Sequence, residues 1–146
     1  MAHPPPMPRR RGPAAGVSGL AFRGDGVLLV QRGNEPNRGR WSLPGGGVEW
    51  GETLRTALVR EIREETGLRA RVGRLVEVED IRIPRKGLPR YHFVVAVFRV
   101  RVIGGRLRAG AGEADARWVG IGDLDEIDLE ETTRRLVAKC GALTHM

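Results

Sequence analysis

Glu61, Glu64 and Glu65 stand at positions i, i+3 and i+4 of the segment Arg60-Glu61-Ile62-Arg63-Glu64-Glu65-Thr66-Gly67-Leu68. On an α-helix this spacing puts three carboxylates on one face, within an arc of roughly 100°. Like charges held that close repel, and hard divalent cations prefer carboxylate oxygens, so Mg²⁺ or Mn²⁺ is the natural counter-charge. Acidic runs are more often solvated helix faces, but the stretch just upstream, Pro44-Gly45-Gly46-Gly47, argues for more. Such a run is expected neither to continue a strand nor to begin a helix, and so to form a turn of permissive φ. Its backbone N–H and C=O groups, unshielded by Cβ atoms, can approach a phosphate or lend a carbonyl oxygen to a metal.

Nine residues, Gly46, Glu52, Arg60, Glu61, Ile62, Glu64, Glu65, Gly67 and Leu68, occur at fixed spacing across the 23 residues from Gly46 to Leu68. In all nine the chain resembles the signature of the Nudix hydrolases, and the flanking order of strands is similar to that family from about Ala14 onward. The resemblance implies hydrolysis of a nucleoside diphosphate linked to another moiety. It also implies one or more Mg²⁺ ions, with Mn²⁺ as a substitute, held by Glu61, Glu64 and Glu65 and by the carbonyl oxygen of Gly45. Gly46, Glu52 and Gly67 take structural places in the motif, and Arg60 with Glu52 braces the loop and orients the catalytic glutamate. A surface ion pair is the ordinary alternative for those two. The base is Glu61 or a glutamate outside the motif. Family members recruit an acid shortly before a tryptophan on a late strand, a place that Glu113 fills five residues ahead of Trp118, with Asp115 as competitor.

The elements that must position these groups are legible on either side. Val17–Arg23 and Val27–Arg32 read as strands joined by Gly24-Asp25-Gly26. Residues Arg32–Arg40 form a polar loop whose Arg32, Arg38 and Arg40 are solvent-facing by default and phosphate-gripping in the functional alternative. The helix is expected to begin near Glu52-Thr53, capped by Thr53 or Gly51, and to end at Gly67 as a left-handed C-terminal residue. Leu54, Leu58 and Ile62 form its packing stripe. Beyond it, Leu68–Ile83 is rich in β-branched residues, Pro84–Arg90 breaks the chain, and Tyr91–Val102 is the longest strand signal. Gly104-Gly105 turns that strand toward Arg106-Leu107-Arg108, and the whole reads as a long hairpin. Glu113–Val119 resembles a further strand. Leu129–Lys139 reads as a closing helix with Leu129, Thr133, Leu136 and Val137 inward. The pattern alone supports a mixed α/β protein, and the resemblance implies an α/β/α sandwich around a mixed β-sheet.

With 146 residues, one domain over 14–146 is the default, preceded by a Pro/Arg-rich tail at 1–13 that is expected to be disordered. No run of about eighteen apolar residues occurs and no signal-peptide core follows the tail, so a cytoplasmic protein with no membrane association is expected. Cys140, the single cysteine, reads as a helix-packing thiol. The formal charge of +7 invites a nucleic-acid partner, yet Arg9, Arg10 and Arg11 supply three of those charges from the tail. There is no long basic stripe with interleaved aromatics, so nucleic acid is discounted and a small nucleotide is the expected partner.

Pro84 lies sixteen residues after Leu68, an offset that resembles the ADP-ribose pyrophosphatase branch, and Tyr91-His92-Phe93 looks like small members of that branch. An ADP-ribose-type substrate is therefore favoured. Hydrolysis of oxidised or non-standard nucleoside triphosphates is the alternative, followed by a non-catalytic nucleotide-binding module and an RNA 5′-end pyrophosphohydrolase. Trp41, Tyr91 or Phe93 can stack a base or ribose, although core packing is the commoner use of each. The resemblance also makes a homodimer plausible.

Overall fold

A computed structural model describes residues 12–35, 37–85 and 88–144. The tail expected to be disordered lies, up to residue 11, outside these residues.

The chain runs β1 (Ala14–Arg23), β2 (Gly26–Arg32), β3 (Trp41–Ser42), β4 (Gly45–Gly47), α1 (Leu54–Thr66), β5 (Leu68–Arg85), β6 (Leu88–Gly105), β7 (Glu113–Gly120), a 3₁₀ turn (Ile121–Glu126) and α2 (Glu131–Thr144). The main path of the sheet is β3-β2-β1-β6-β5, with β4 on β1 and β7 on β2. β1 and β6 are parallel, from Ala14 opposite Phe93 to Ala21 opposite Val100, and the other pairs are antiparallel.

Strand periodicity decides the layers. Along β2, Val27 and Leu29 face one core while Leu28 faces the other; along β6, Val95 and Val97 alternate with Ala96, Phe98 and Val100 in the same way. The helix α2 closes the first core with Leu136, Val137 and Cys140, and α1 closes the second with Ala57, Leu58 and Ile62. The result is an α/β/α sandwich around a mixed sheet, with the Cys140 thiol buried under α2.

Four expectations change in detail. Leu54, expected in the α1 stripe, is exposed, and Ala57 takes the buried position one turn on. The strand β5 continues through Pro84 to Arg85 and pairs with Leu88–Pro89, so the long hairpin is β5–β6 and the expected break at Pro84 is strand instead. Arg106–Arg108 forms no strand. The helix α2 begins at Glu131; Leu129 is buried ahead of it, bridged to Trp41.

Candidate active site

The helix α1 forms where capping and packing agree. Thr53 is its N-cap, accepting the N–H of Thr56 at 3.1 Å, and Gly67 closes it at φ 74°, where its N–H donates to Arg63 O at 2.9 Å. Burial of Ala57, Leu58 and Ile62 against the sheet turns Glu61 and Glu65 toward β4.

Residues 44–47 do not form the expected turn. Gly45–Gly47 is a short strand on β1, with Ser18, Val17 and Gly16 opposite Gly45, Gly46 and Gly47, and none of the three has a positive φ. Proximity is what demands glycine here. A Cβ on Gly46 would lie 2.5 Å from Glu61 Cδ, and one on Gly45 would lie 2.1 Å from Val17 O. The bonds from Gly19 N–H to Pro44 O and from Val48 N–H to Ala15 O put Gly45 on the outward phase of the ladder. Its N–H donates to Glu65 Oε1 at 2.7 Å, and its carbonyl points away from β1 along the same edge.

Arg60 binds the motif together. Its Nε and Nη2 take Glu52 bidentately at 2.7 and 2.8 Å, Nη2 also reaches Gly47 O at 3.0 Å, and Nη1 holds Glu61 at 2.9 Å and Glu64 at 3.2 Å. All five guanidinium N–H groups thereby have an acceptor. The engaged guanidinium matches the bracing place that the resemblance implies for Arg60. The Arg60 hydrogen bonds and the N–H of Glu49 hold the Glu52 carboxyl down at about 2.

Glu113 reaches this group through the segment that follows β6. The N–H groups of Arg108 and Gly110 donate to Thr66 O and Glu65 O, so residues 106–112 run across the C-terminal end of α1. A Cβ on Gly110 would lie 2.1 Å from Glu64 O, and Glu113 Oε2 is 3.0 Å from the same point. Arg108 and Gly110 therefore set the position of the distal acid, a role their sequence surroundings did not advertise. Asp115 is committed elsewhere, to Ala116 N–H and Arg117 Nε, so Glu113 alone of the two candidates joins the site.

The electrostatics record this crowding. Burial first, then the neighbouring Glu113 and Glu61, push the Glu65 carboxyl well above the ordinary carboxylate range against the opposing bond from Gly45. Burial also raises Glu61, which Arg60 partly offsets and Glu64 and Glu113 reinforce. Among the described residues, no three acidic, histidine or cysteine side chains already surround one point. Glu61 and Glu64 are drawn to Arg60, and Glu64 is 58% exposed. The donor set nonetheless fits a hard cation: it consists only of oxygens, it is partly buried, and one guanidinium faces four carboxylates.

A cleft of about 540 Å³ opens beside Glu65 and Glu113, walled by Gly45, Arg32, Asn37, Arg40, Phe93 and Glu130 among others. The loop before β3 closes tightly, since Arg32 N–H donates to Arg40 O and Gly39 N–H to Arg32 O, with Asn37 at φ 65°. Arg32 and Arg40 thus reach the cleft together, whereas Arg38 pairs with Glu35 outside it. Trp41 does not offer a stacking face there. It is 6% exposed, packed in the α2-side core with Leu43 and Leu129 and overlain by Arg117. The Tyr91 side chain lies outside the described set, and Phe93 is the aromatic that lines the cleft. Glu130, unremarked in the sequence, caps α2 through Thr132 N–H and the N–H and hydroxyl of Thr133.

Comparison with known proteins agrees with this geometry. The NUDIX domain model matches residues 12–140. The chain belongs to the Nudix hydrolase family. It is 41% identical over 115 residues to an ADP-ribose pyrophosphatase of Methanocaldococcus jannaschii, an alignment covering 79% of this chain and 66% of that protein. It is also 38% identical over 127 residues to a putative 8-oxo-dGTP diphosphatase 2 of Mycobacterium tuberculosis, covering 84% of each. The crystal structure of a MutT Nudix hydrolase from Burkholderia pseudomallei superposes with a TM-score of 0.73 at 30% identity, over 85% of this chain and 95% of that one. Among the described residues no helix of this Nudix protein is long and apolar enough to cross a membrane.

Proposed function

We propose that this chain hydrolyses the pyrophosphate linkage of a nucleoside diphosphate derivative, with an ADP-ribose-type compound as the favoured substrate. The observation that carries the reading is the meeting of Glu65 and Glu113 beside Gly45, at the edge of a cleft whose other wall bears Arg32 and Arg40.

In this reading Glu61, Glu64 and Glu65, with the carbonyl oxygen of Gly45, hold Mg²⁺, for which Mn²⁺ can substitute. When bound, the ion offsets the charge of the diphosphate and makes water a better nucleophile at neutral pH. Arg32 and Arg40 grip phosphate oxygens from the opposite wall. Glu113 accepts a proton from the attacking water, with Glu61 as the alternative base. Arg60 and Glu52 keep Glu61 over Gly46, and Phe93 packs against the nucleoside. Water attacks one phosphorus, the bridging oxygen departs with the other, and two monophosphates result. The activity belongs in the cytoplasm, where nucleotide derivatives are made.

The ADP-ribose preference is supported by the Methanocaldococcus relative and by Pro84 sixteen residues after Leu68. A second reading, pyrophosphohydrolysis of oxidised nucleoside triphosphates, is supported by the Mycobacterium relative, whose alignment spans more of both chains. The complete set of carboxylates argues against a module that only binds nucleotides. Product analysis decides among them: with Mg²⁺, ADP-ribose, 8-oxo-dGTP, ordinary triphosphates and triphosphorylated RNA are incubated and the products resolved. AMP and ribose phosphate from ADP-ribose, lost with EDTA, support the first reading. A monophosphate and pyrophosphate from 8-oxo-dGTP alone support the second. Binding without turnover on every substrate overturns both.

A further inference from the structure

A groove of about 600 Å³ is lined by Arg23, Arg71, Arg74, Arg99 and Arg101 together with Phe22 and Trp118. No carboxylate is among its lining residues. Along β7, Trp118 is five residues from Glu113, about 17 Å of extended strand, and the groove shares no residue with the catalytic cleft.

Strand register assembles it. Arg71 on β5 stands directly opposite Arg101 on β6, and Arg99 lies two residues back on the same face. Next to them the β5–β6 ladder slips between Val72 and Leu75, and Gly73 lies against the backbone of Arg99. Like charges directly opposite each other destabilise a sheet. Among the described residues Arg71, Arg74 and Arg101 form no ion pair that would offset this. An anion bound between them would offset that repulsion. Two aromatic rings stand among the guanidiniums: Arg23 lies over Trp118 at 4.5 Å and Arg99 over Phe22 at 4.9 Å. Regularly spaced anions with planar groups between them match this surface, because guanidiniums pair with phosphates, and the guanidinium planes of Arg23 and Arg99, backed by rings packed on the two cores, can stack on bases.

We infer that this groove binds single-stranded nucleic acid, as a site separate from the hydrolytic cleft. The tertiary structure gathers here the basic and aromatic groups that the linear sequence scatters over residues 22 to 118. The site goes beyond hydrolysis of a small nucleotide and does not depend on the identity of that substrate.

The test measures fluorescence anisotropy of a labelled single-stranded oligonucleotide with the full chain, across a salt series, for wild type and for Arg71→Gln/Arg101→Gln. Arg134→Gln, on α2 and paired with Asp125, serves as the control. Removal of two phosphate contacts should weaken binding roughly tenfold or more and reduce the slope of log affinity against log salt by about 1.4. Nucleotide hydrolysis and thermal midpoint of the double variant should stay at or above wild type, since the change relieves a like-charge pair. Undiminished binding by the double variant, or equal loss in Arg134→Gln, would overturn the assignment. So would inorganic polyphosphate competing as well as the oligonucleotide, because the groove would then recognise phosphate alone.

Discussion

The N–H of Gly45 donates to Glu65 Oε1 at 2.7 Å, joining the glycine strand on β1 to the helix that carries the acidic triad. That bond spans twenty residues and places an outward carbonyl and a buried carboxylate on one edge.

Glu65→Gln can keep the bond from Gly45 and mimic the neutral carboxyl that burial and Glu113 favour, while removing an anionic ligand a metal would need. Turnover is expected to fall by orders of magnitude, and Glu61→Gln should behave alike. Without added metal, the thermal midpoint of Glu65→Gln should equal or exceed that of wild type. Mg²⁺ should raise the wild-type midpoint by linkage and leave the variant's almost unmoved. Unchanged turnover in both single variants would remove these residues from the proposed metal site.

Gly46→Ala and Gly47→Ala form a paired test. A Cβ on Gly46 meets the Glu61 carboxyl at 2.5 Å, whereas one on Gly47 meets nothing within 4 Å. The first substitution should displace Glu61 and cost at least tenfold in kcat with little change in KM, and the second should be nearly silent. Equal kinetics for the two variants would mean that Glu61 is not held in place by this contact.

Arg60→Lys retains a positive charge but offers three donors where five are engaged. Glu52 and Glu61, each mostly shielded from solvent, would lose part of their compensation. A loss of about 2 kcal/mol in urea denaturation is expected, together with reduced turnover. A stability unchanged within error would reduce Arg60 to an ordinary surface pair.

Burial tends to raise the Glu130 carboxyl, but the N–H groups of Thr132 and Thr133 and the Thr133 hydroxyl outweigh it and hold the carboxyl below its ordinary value. The unfolded chain therefore binds this proton more readily than the folded one. The cap's contribution is full above the ordinary glutamate pKa and is lost as pH falls through the lower folded value. Glu130→Gln should cost about 1 kcal/mol near neutral pH and less in acid, as read from denaturation midpoints over a pH series. A constant difference across that series would reject the ionised cap.

Much of the site could be read along the chain because α1 is a local structure. Its cap at Thr53, its end at Gly67 and the i, i+3, i+4 spacing of Glu61, Glu64 and Glu65 all depend on neighbours within one or two turns. Strand-like apolar runs marked β1, β2 and β6 for the same reason. Readings failed where a residue's environment comes from distant chain. Trp41 looked available for stacking until the α2-side core enclosed it, and the glycines at 45–47 suggested a turn although they make a strand.

The sequence by itself determined the family motif, the carboxylate-bearing face of one helix, and a mixed α/β order of elements. Only the tertiary structure decided that Glu113 rather than Asp115 joins Glu65, that Arg32 and Arg40 but not Arg38 face the cleft, and that Arg71 meets Arg101 across a ladder. Those outcomes rest on register and on backbone hydrogen bonds between segments far apart in the chain, such as Gly110 N–H to Glu65 O at 3.0 Å. Local spacing carries no record of such bonds, because they exist only once the sheet has paired and both helices have packed against it.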